Sequence, residues 1–248
     1  MSAKETQATI ERVRRISPSL QRLDLGVEES LARLKPGQLL LARLSEDRFD
    51  PYLPEPWVPV ALDNVTITIE RPARDQYLPG QVVTLLGPVG APFPMRYNLR
   101  NLLLIALDAM PTPLVLLASM AVRSQIEVTM VLGGSAAQYP LDVLPPEVEV
   151  LHGDLETGWA NQVTTIGWAD QVIAVANPRY RHELYPRLAT RIRELRVEIP
   201  KRFILGIFDQ PIPCGTGACQ GCGVACHGRD RLVCVDGPAI DLDEVNFR

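Results

Sequence analysis

The sequence predicts a small antiparallel β barrel, then a parallel α/β domain, then a short cysteine-bearing domain at the C-terminus. Three observations carry this reading. Residues 1–97 break into short strand-like runs separated by turn residues. From about Asn98, continuous apolar runs alternate with helical stretches. All five cysteines of the 248-residue chain lie within residues 213–238. The divisions fall at 1–97, 98–201 and 202–248.

The barrel strands are expected at 8–14, 20–27, 38–44, 57–62, 65–71 and 82–86. The pairs Pro36-Gly37 and Pro79-Gly80 precede two of them, as turn chemistry requires. Six short strands at close spacing suit a small antiparallel barrel. In the second part, residues 102–107 (LLLIAL) form an apolar run of buried-strand length. A helix over 113–123 and a strand over 126–132 follow. Further strands are expected at 148–153 and 171–177, and a helix over 186–195 with Pro186 in its first turn. Strands alternating with helices predict a parallel sheet with crossovers. Residues 202–209 then lead into the cysteine segment.

Composition excludes several classes. The net charge of −4 and the scattered Lys and Arg argue against a nucleic-acid or membrane-surface protein. Charged residues make up 22% and hydrophobic residues 46%, which is ordinary for a globular protein, and 22 prolines disfavour a helical bundle. The first residues contain no apolar signal-peptide core. The apolar run 101–122 is divided by Asp108, Pro111 and Pro113, which are costly in hydrocarbon. A cytoplasmic protein is therefore expected, in which clustered cysteines suggest metal binding rather than disulfides.

The spacing is Cys214-x4-Cys219-x2-Cys222, then eleven residues, then Cys234. That is the arrangement of plant-type [2Fe–2S] sites. Gly215 and Gly217 lie where missing β-carbons would let backbone N–H groups approach the sulfurs, and Gly221 and Gly223 ease the turn around Cys222. Structural zinc is the alternative, although it commonly uses two separated C-x2-4-C knuckles. Cys226 is left over, as a bystander or a substitute ligand. His227 adjoins it, while His152 and His182 stand alone.

Over essentially its whole length the chain resembles the electron transfer subunit of class B dihydroorotate dehydrogenase, most specifically in CGTGACQGC…LVCVDGPAIDLDEV. The resemblance implies a ferredoxin-reductase-like barrel holding FAD, a domain receiving NAD(H), and a C-terminal [2Fe–2S] cluster on Cys214, Cys219, Cys222 and Cys234. It also implies a flavoprotein catalytic partner in a hetero-oligomer, and a place in pyrimidine biosynthesis.

The chain departs from the family at its dinucleotide positions. The family's Arg-Pro-aromatic-Ser flavin motif follows an Asp-Pro. Here Asp50-Pro51 is followed by Glu55-Pro56-Trp57-Val58, an acid where arginine would grip pyrophosphate. The turn after the second flavin strand, residues 71–76, lacks the family's Gly-x-Gly-Thr. The Gly-Gly-Gly-Ile-Gly of the nucleotide domain is replaced within residues 106–114, where Asp108 adds like charge and only Pro113 and Leu114 fit. A Cys-Gly-Pro reads Ala176-Asn177-Pro178. Residues 87–93 (GPVGAPF) keep the family's form, and also suit a plain turn between domains.

Pro56, Trp57, Gly87 and Gly90 are accordingly the candidate contacts for FAD, NAD is not expected, and no catalytic residue is assigned. The expectation is an iron–sulfur subunit relaying electrons to or from a flavoprotein. Alternatives are an active NAD(P)H-oxidising FAD/[2Fe–2S] reductase subunit of another redox complex, and a non-enzymatic redox sensor using Cys226.

Overall fold

The computed structural model describes residues 3–44 and 53–247. The first part is a near-closed antiparallel barrel of β1 (Lys4–Arg15), β2 (Leu20–Gly26), β3 (Leu39–Leu44), β4 (Glu55–Trp57), β5 (Pro59–Leu62), β6 (Thr66–Pro72) and β7 (Val82–Val89). Their order is β4-β3-β7-β1-β2-β6-β5. Inward residues such as Ile10, Leu23, Leu25, Leu40, Trp57, Ile67, Ile69, Val83 and Leu85 fill the interior. Period-2 alternation explains why these six regions read as strands.

One expectation is corrected. The strand expected at 57–62 is two strands on opposite edges of the barrel sheet. Trp57 pairs with Leu40 of β3, whereas Pro59 pairs with Ile69 of β6. Pro59 has no N–H with which to continue a ladder, so the chain changes partners at Val58 and draws the two edges together.

The second sheet runs β11-β10-β9-β8-β12-β13-β16. Its strands are β8 (Asn101–Leu107), β9 (Glu127–Gly133), β10 (Glu149–Asp154), β11 (Gly158–Trp159), β12 (Gln171–Ala176), β13 (Ile204–Ile207) and β16 (Ala239–Asp241). The five central strands are parallel, and β11 and β16 add antiparallel edges. The continuous apolar run of β8 is explained by burial on both faces. Leu102, Leu104 and Ala106 pack with α1 (Thr112–Arg123), while Leu103, Ile105 and Leu107 share a core with α2 (Gln162–Trp168) and α3 (Arg181–Leu195).

α3 begins five residues before the expected start, so Pro186 lies inside the helix rather than in its first turn. Burial of Arg181 and Tyr185, and a turn in which Tyr180 N–H bonds to the Asn177 carbonyl, set the earlier start against the cost of an interior proline. The short α2 and β11 carry too few periodic apolar residues to be read from sequence. The remaining strands, β14 (Gly223–Val224) and β15 (Arg231–Leu232), form a hairpin. No helix of the described residues is long and apolar enough to cross a membrane.

Candidate metal centre

The cysteine segment is an excursion between β13 and β16, which pair with each other, Ile207 opposite Ala239. Its two ends are thus fixed side by side on the α/β sheet. Inside it, the β14–β15 hairpin folds the long gap between the third and fourth cysteines. Val233 N–H bonds to the Cys222 carbonyl at 3.1 Å, and Cys234 N–H reaches Cys222 Sγ at 3.5 Å.

Backbone amides surround the four spaced thiols. Thr216 and Cys219 donate to Cys214, Gly221 donates to Cys219 Sγ at 3.4 Å, and Gly217 donates to Cys234. Such N–H···S bonds favour anionic sulfur and tune iron–sulfur sites. They lower the Cys214 thiol to about 6, chiefly through the Cys219 amide. Burial, then the neighbouring Cys222, pushes Cys234 up to about 12. The thiols meet as two pairs, Cys214 with Cys219 and Cys222 with Cys234. Among the described residues, no three or more His, Cys, Asp or Glu side chains are arranged to hold a single metal ion. Two facing pairs of thiols are an arrangement that a two-iron cluster can use.

Cys219 is exposed, Cys214 half-buried, and Cys222 and Cys234 buried. Cys226 stands apart. It pairs in a β-bridge with Val245, and burial and then Glu244 raise its thiol. The glycines act partly as expected: Gly217 supplies an amide to sulfur. Gly215, at φ +71°, has a different task. A β-carbon there would lie 2.9 Å from Leu41 and 3.2 Å from Leu86 and Val89, so the loop presses directly on the barrel.

Residues 210–246 match the iron–sulfur cluster binding domain of dihydroorotate dehydrogenase B. The chain is 28% identical over 173 residues to a probable dihydroorotate dehydrogenase B (NAD(+)) electron transfer subunit of Methanopyrus kandleri. That match covers 67% of this chain and 63% of the relative's own length. The match to the family's domain is thus confined to the C-terminal segment, and the chain as a whole is similar to an electron transfer subunit. Its fold is similar to a chain of the NADH-dependent reduced ferredoxin-NADP oxidoreductase, with TM-score 0.73 and 19% identity over 97% of this chain and 90% of that one. The ferredoxin reductase of carbazole 1,9a-dioxygenase aligns with TM-score 0.61 and 16% identity, over 82% of this chain and 69% of that one.

In this chain the barrel, the α/β sheet and the cysteine segment meet around a cavity of about 470 Å³. Its wall is largely apolar, including Leu39, Val58, Phe93, Ile207, Phe208 and Val233. Among the described residues, the charged ones in that wall are Glu70, Asp108 and Asp209, and none is Lys or Arg. Of the four candidate flavin contacts, Pro56 lines the cavity. Trp57 is buried in the barrel, edge-on to Tyr77 at 5.8 Å between ring centroids. Gly87 packs tightly against Leu40, and Gly90 faces the carbonyl of Gly237 in the cysteine segment. The Asp50-Pro51 pair lies outside the described residues.

Each departure from the family's dinucleotide pattern has a structural counterpart. Glu55 forms an ion pair with Arg71, whose guanidinium lies 5.5 Å from the Trp57 ring centroid. Asp108, in a left-handed conformation at φ 49°, accepts the Ser135 N–H at 3.0 Å and the Asn177 amide at 3.2 Å. The Ser135 amide, then that of Asn177, holds its carboxyl below the ordinary range. Its side chain thereby ties together the C-terminal ends of β8, β9 and β12. A dinucleotide phosphate would meet carboxylates here, and no cation stands among the described wall residues, so these residues do not fit it.

Four residues at this junction carried no signal in our sequence reading: Arg22, Glu70, Tyr139 and Asp142. Arg22 Nε donates to Glu70 Oε1 at 3.0 Å, with side-chain exposures of 3% and 1%. Tyr139 donates to the same oxygen at 2.7 Å, and Asp142 receives Arg22 at 2.6 Å. Burial opposes the Arg22 charge, but Asp142 and Glu70 outweigh it and raise its pKa. Burial, then Glu70, raises that of Tyr139. Gln21 and Asp24 flank Arg22 in β2, and Thr68 and Arg71 flank Glu70 in β6, so neither residue stands out locally.

Proposed function

We propose that this chain is an iron–sulfur electron-transfer subunit that relays electrons to or from a flavoprotein partner. A dihydroorotate dehydrogenase catalytic subunit, in a cytoplasmic hetero-oligomer serving pyrimidine biosynthesis, is the partner favoured by the relative's name. Cys214, Cys219, Cys222 and Cys234 would hold a [2Fe–2S] cluster, each thiol pair serving one iron. Such a cluster supplies one electron at a time and no bond chemistry of its own. In domain terms, 1–97 is the flavin-type barrel, 98–201 the altered nucleotide-type domain, and 202–248 the cluster domain.

The observation that carries the relay is the placement of the thiols between two surfaces. Cys219 is exposed, whereas Cys234 is buried next to Val233, which lines the junction cavity. Residues 211–226 include no Asp, Glu, Lys or Arg. The segment that carries Cys219 is therefore uncharged and rich in small side chains, which favours the approach of a partner without desolvating charge. Anaerobically purified protein should be brown, with about two iron atoms per chain. Colourless protein holding one zinc overturns this reading.

The cavity itself favours a second reading, in which an active reductase subunit seats a flavin ring against Pro56 and Val58. Bound flavin together with NADH–dye reductase activity would establish it; iron without flavin leaves the relay.

A further inference from the structure

The two turns that approach phosphates in the family are joined to each other in this chain. Glu70 stands at the end of β6, just before the altered flavin turn. Thr112 opens α1, within the altered nucleotide turn. Thr112 Oγ1 donates to Glu70 Oε2 at 2.7 Å. The other carboxylate oxygen receives Arg22 and Tyr139. Arg22 and Glu70 belong to the barrel, whereas Thr112, Tyr139 and Asp142 belong to the α/β domain. This single carboxylate therefore takes three donors, two of them, Thr112 and Tyr139, from across the junction, and the guanidinium crosses it through Asp142.

We infer that Glu70 is an internal substitute for a bound phosphate, filling the anion position between Arg22 and the start of α1 and excluding phosphorylated ligands from it. The chemistry matches term by term. A phosphate at this junction would need a cation and hydroxyl donors, and Glu70 engages one cation, Arg22, and two hydroxyls, those of Thr112 and Tyr139. It sits at the positive end of α1, where an anion is favoured. Pro113 removes an amide from the first turn of α1, and the Leu114 amide is taken by the Pro111 carbonyl at 2.7 Å. The helix therefore offers an incoming phosphate little that Glu70 has not claimed. In this arrangement the two domains are held together by the protein's own ion pair rather than by a dinucleotide.

The test is anion rescue in the full chain. Glu70→Ala leaves Arg22 buried beside an anion-sized gap, and its Tm should fall by roughly 5–15 °C. Inorganic phosphate should restore most of that loss in a saturable manner, beyond potassium chloride at equal ionic strength, while wild type shows no such response. Arg22→Met in the Glu70→Ala background should abolish the phosphate response. Should Glu70→Ala not accumulate in folded form, Glu70→Gln keeps the side-chain volume and is taken through the same anion series. Saturable phosphate stabilisation of wild type, or variants no more responsive to phosphate than to chloride, overturns the inference. Iron content and the visible spectrum, which test the relay, are independent of either outcome.

Discussion

Gly90 donates its backbone N–H to the carbonyl oxygen of Cys234 at 3.1 Å, so the last turn of the barrel grips the fourth cysteine of the cluster segment directly. The neighbouring Ala91 N–H reaches the Gly237 carbonyl at 2.6 Å. Gly90 has φ +85°, and a β-carbon there would lie 2.9 Å from the Gly237 oxygen. Gly90→Ala should therefore cost about 1–3 kcal/mol through backbone strain and a displaced contact. The loss should fall on the cluster segment. We expect faster iron release to a chelator and a Tm lower by roughly 2–10 °C. Unchanged iron retention would show that the barrel does not hold the site.

Gln171 supports the same junction from below. Its side chain is fully buried and joins residues 94–96 to Arg202. Its amide donates to the carbonyls of Pro94 at 3.1 Å and Arg202 at 2.9 Å, and its oxygen accepts the Arg96 N–H at 3.1 Å. Gln171→Leu keeps the volume but leaves three backbone groups without these partners. A destabilisation of about 2–4 kcal/mol is expected, measured by denaturant unfolding, because each orphaned group forfeits its own hydrogen bond. A cost below about 1 kcal/mol would mean that water replaces the amide.

How far the sequence revealed this architecture depends on the range of the forces involved. β8 and β12 were legible because burial on both faces demands unbroken apolar runs, which chemistry alone makes visible. The thiol spacing was legible because three of its members share one loop. The split at Val58 was not, since it depends on which strand each half of residues 55–62 finds. The start of α3 was misplaced because Pro186 is an ordinary first-turn signal that the burial of Tyr185 overrides. The Arg22–Glu70–Asp142 network joins residues 48 and 120 positions apart, and no local pattern encodes such a meeting. The lack of glycine at 106–114 was legible as a departure from the family's phosphate-binding pattern. Only the folded chain showed what had taken their place.

Tyr185 is buried on α3 and donates its hydroxyl to the Ile207 carbonyl at 2.5 Å, with Ala174 at 3.3 Å. Both acceptors lie on neighbouring central strands, and Ile207 also lines the junction cavity. Burial, then the Asp209 charge, keeps this phenol protonated above its ordinary range. Tyr185→Phe should cost about 1–2 kcal/mol while leaving the cluster spectrum unchanged, since the hydroxyl is a structural donor only. A shifted spectrum would place Tyr185 in contact with the metal site instead.

The cysteines provide the sharpest separation. Replacing Cys214, Cys219, Cys222 or Cys234 with serine removes a sulfur from one of the two facing pairs, and each variant should lose most of its iron and visible absorption. Cys226→Ser should retain both, because the groups acting on Cys226 are Glu244, Arg231 and Asp230 rather than another thiol. Iron quantification and absorption spectra on the five anaerobically purified variants decide the matter. Loss of iron in Cys226→Ser, with retention in one of the other four, would exchange Cys226 for that residue in the ligand set. Equal loss in all five would point to a fold that collapses with any change in the segment. That outcome is checked by far-UV dichroism, which the four ligand variants should leave near that of wild type: the barrel and the parallel sheet have their own cores, and β13 and β16 anchor the loop independently of metal.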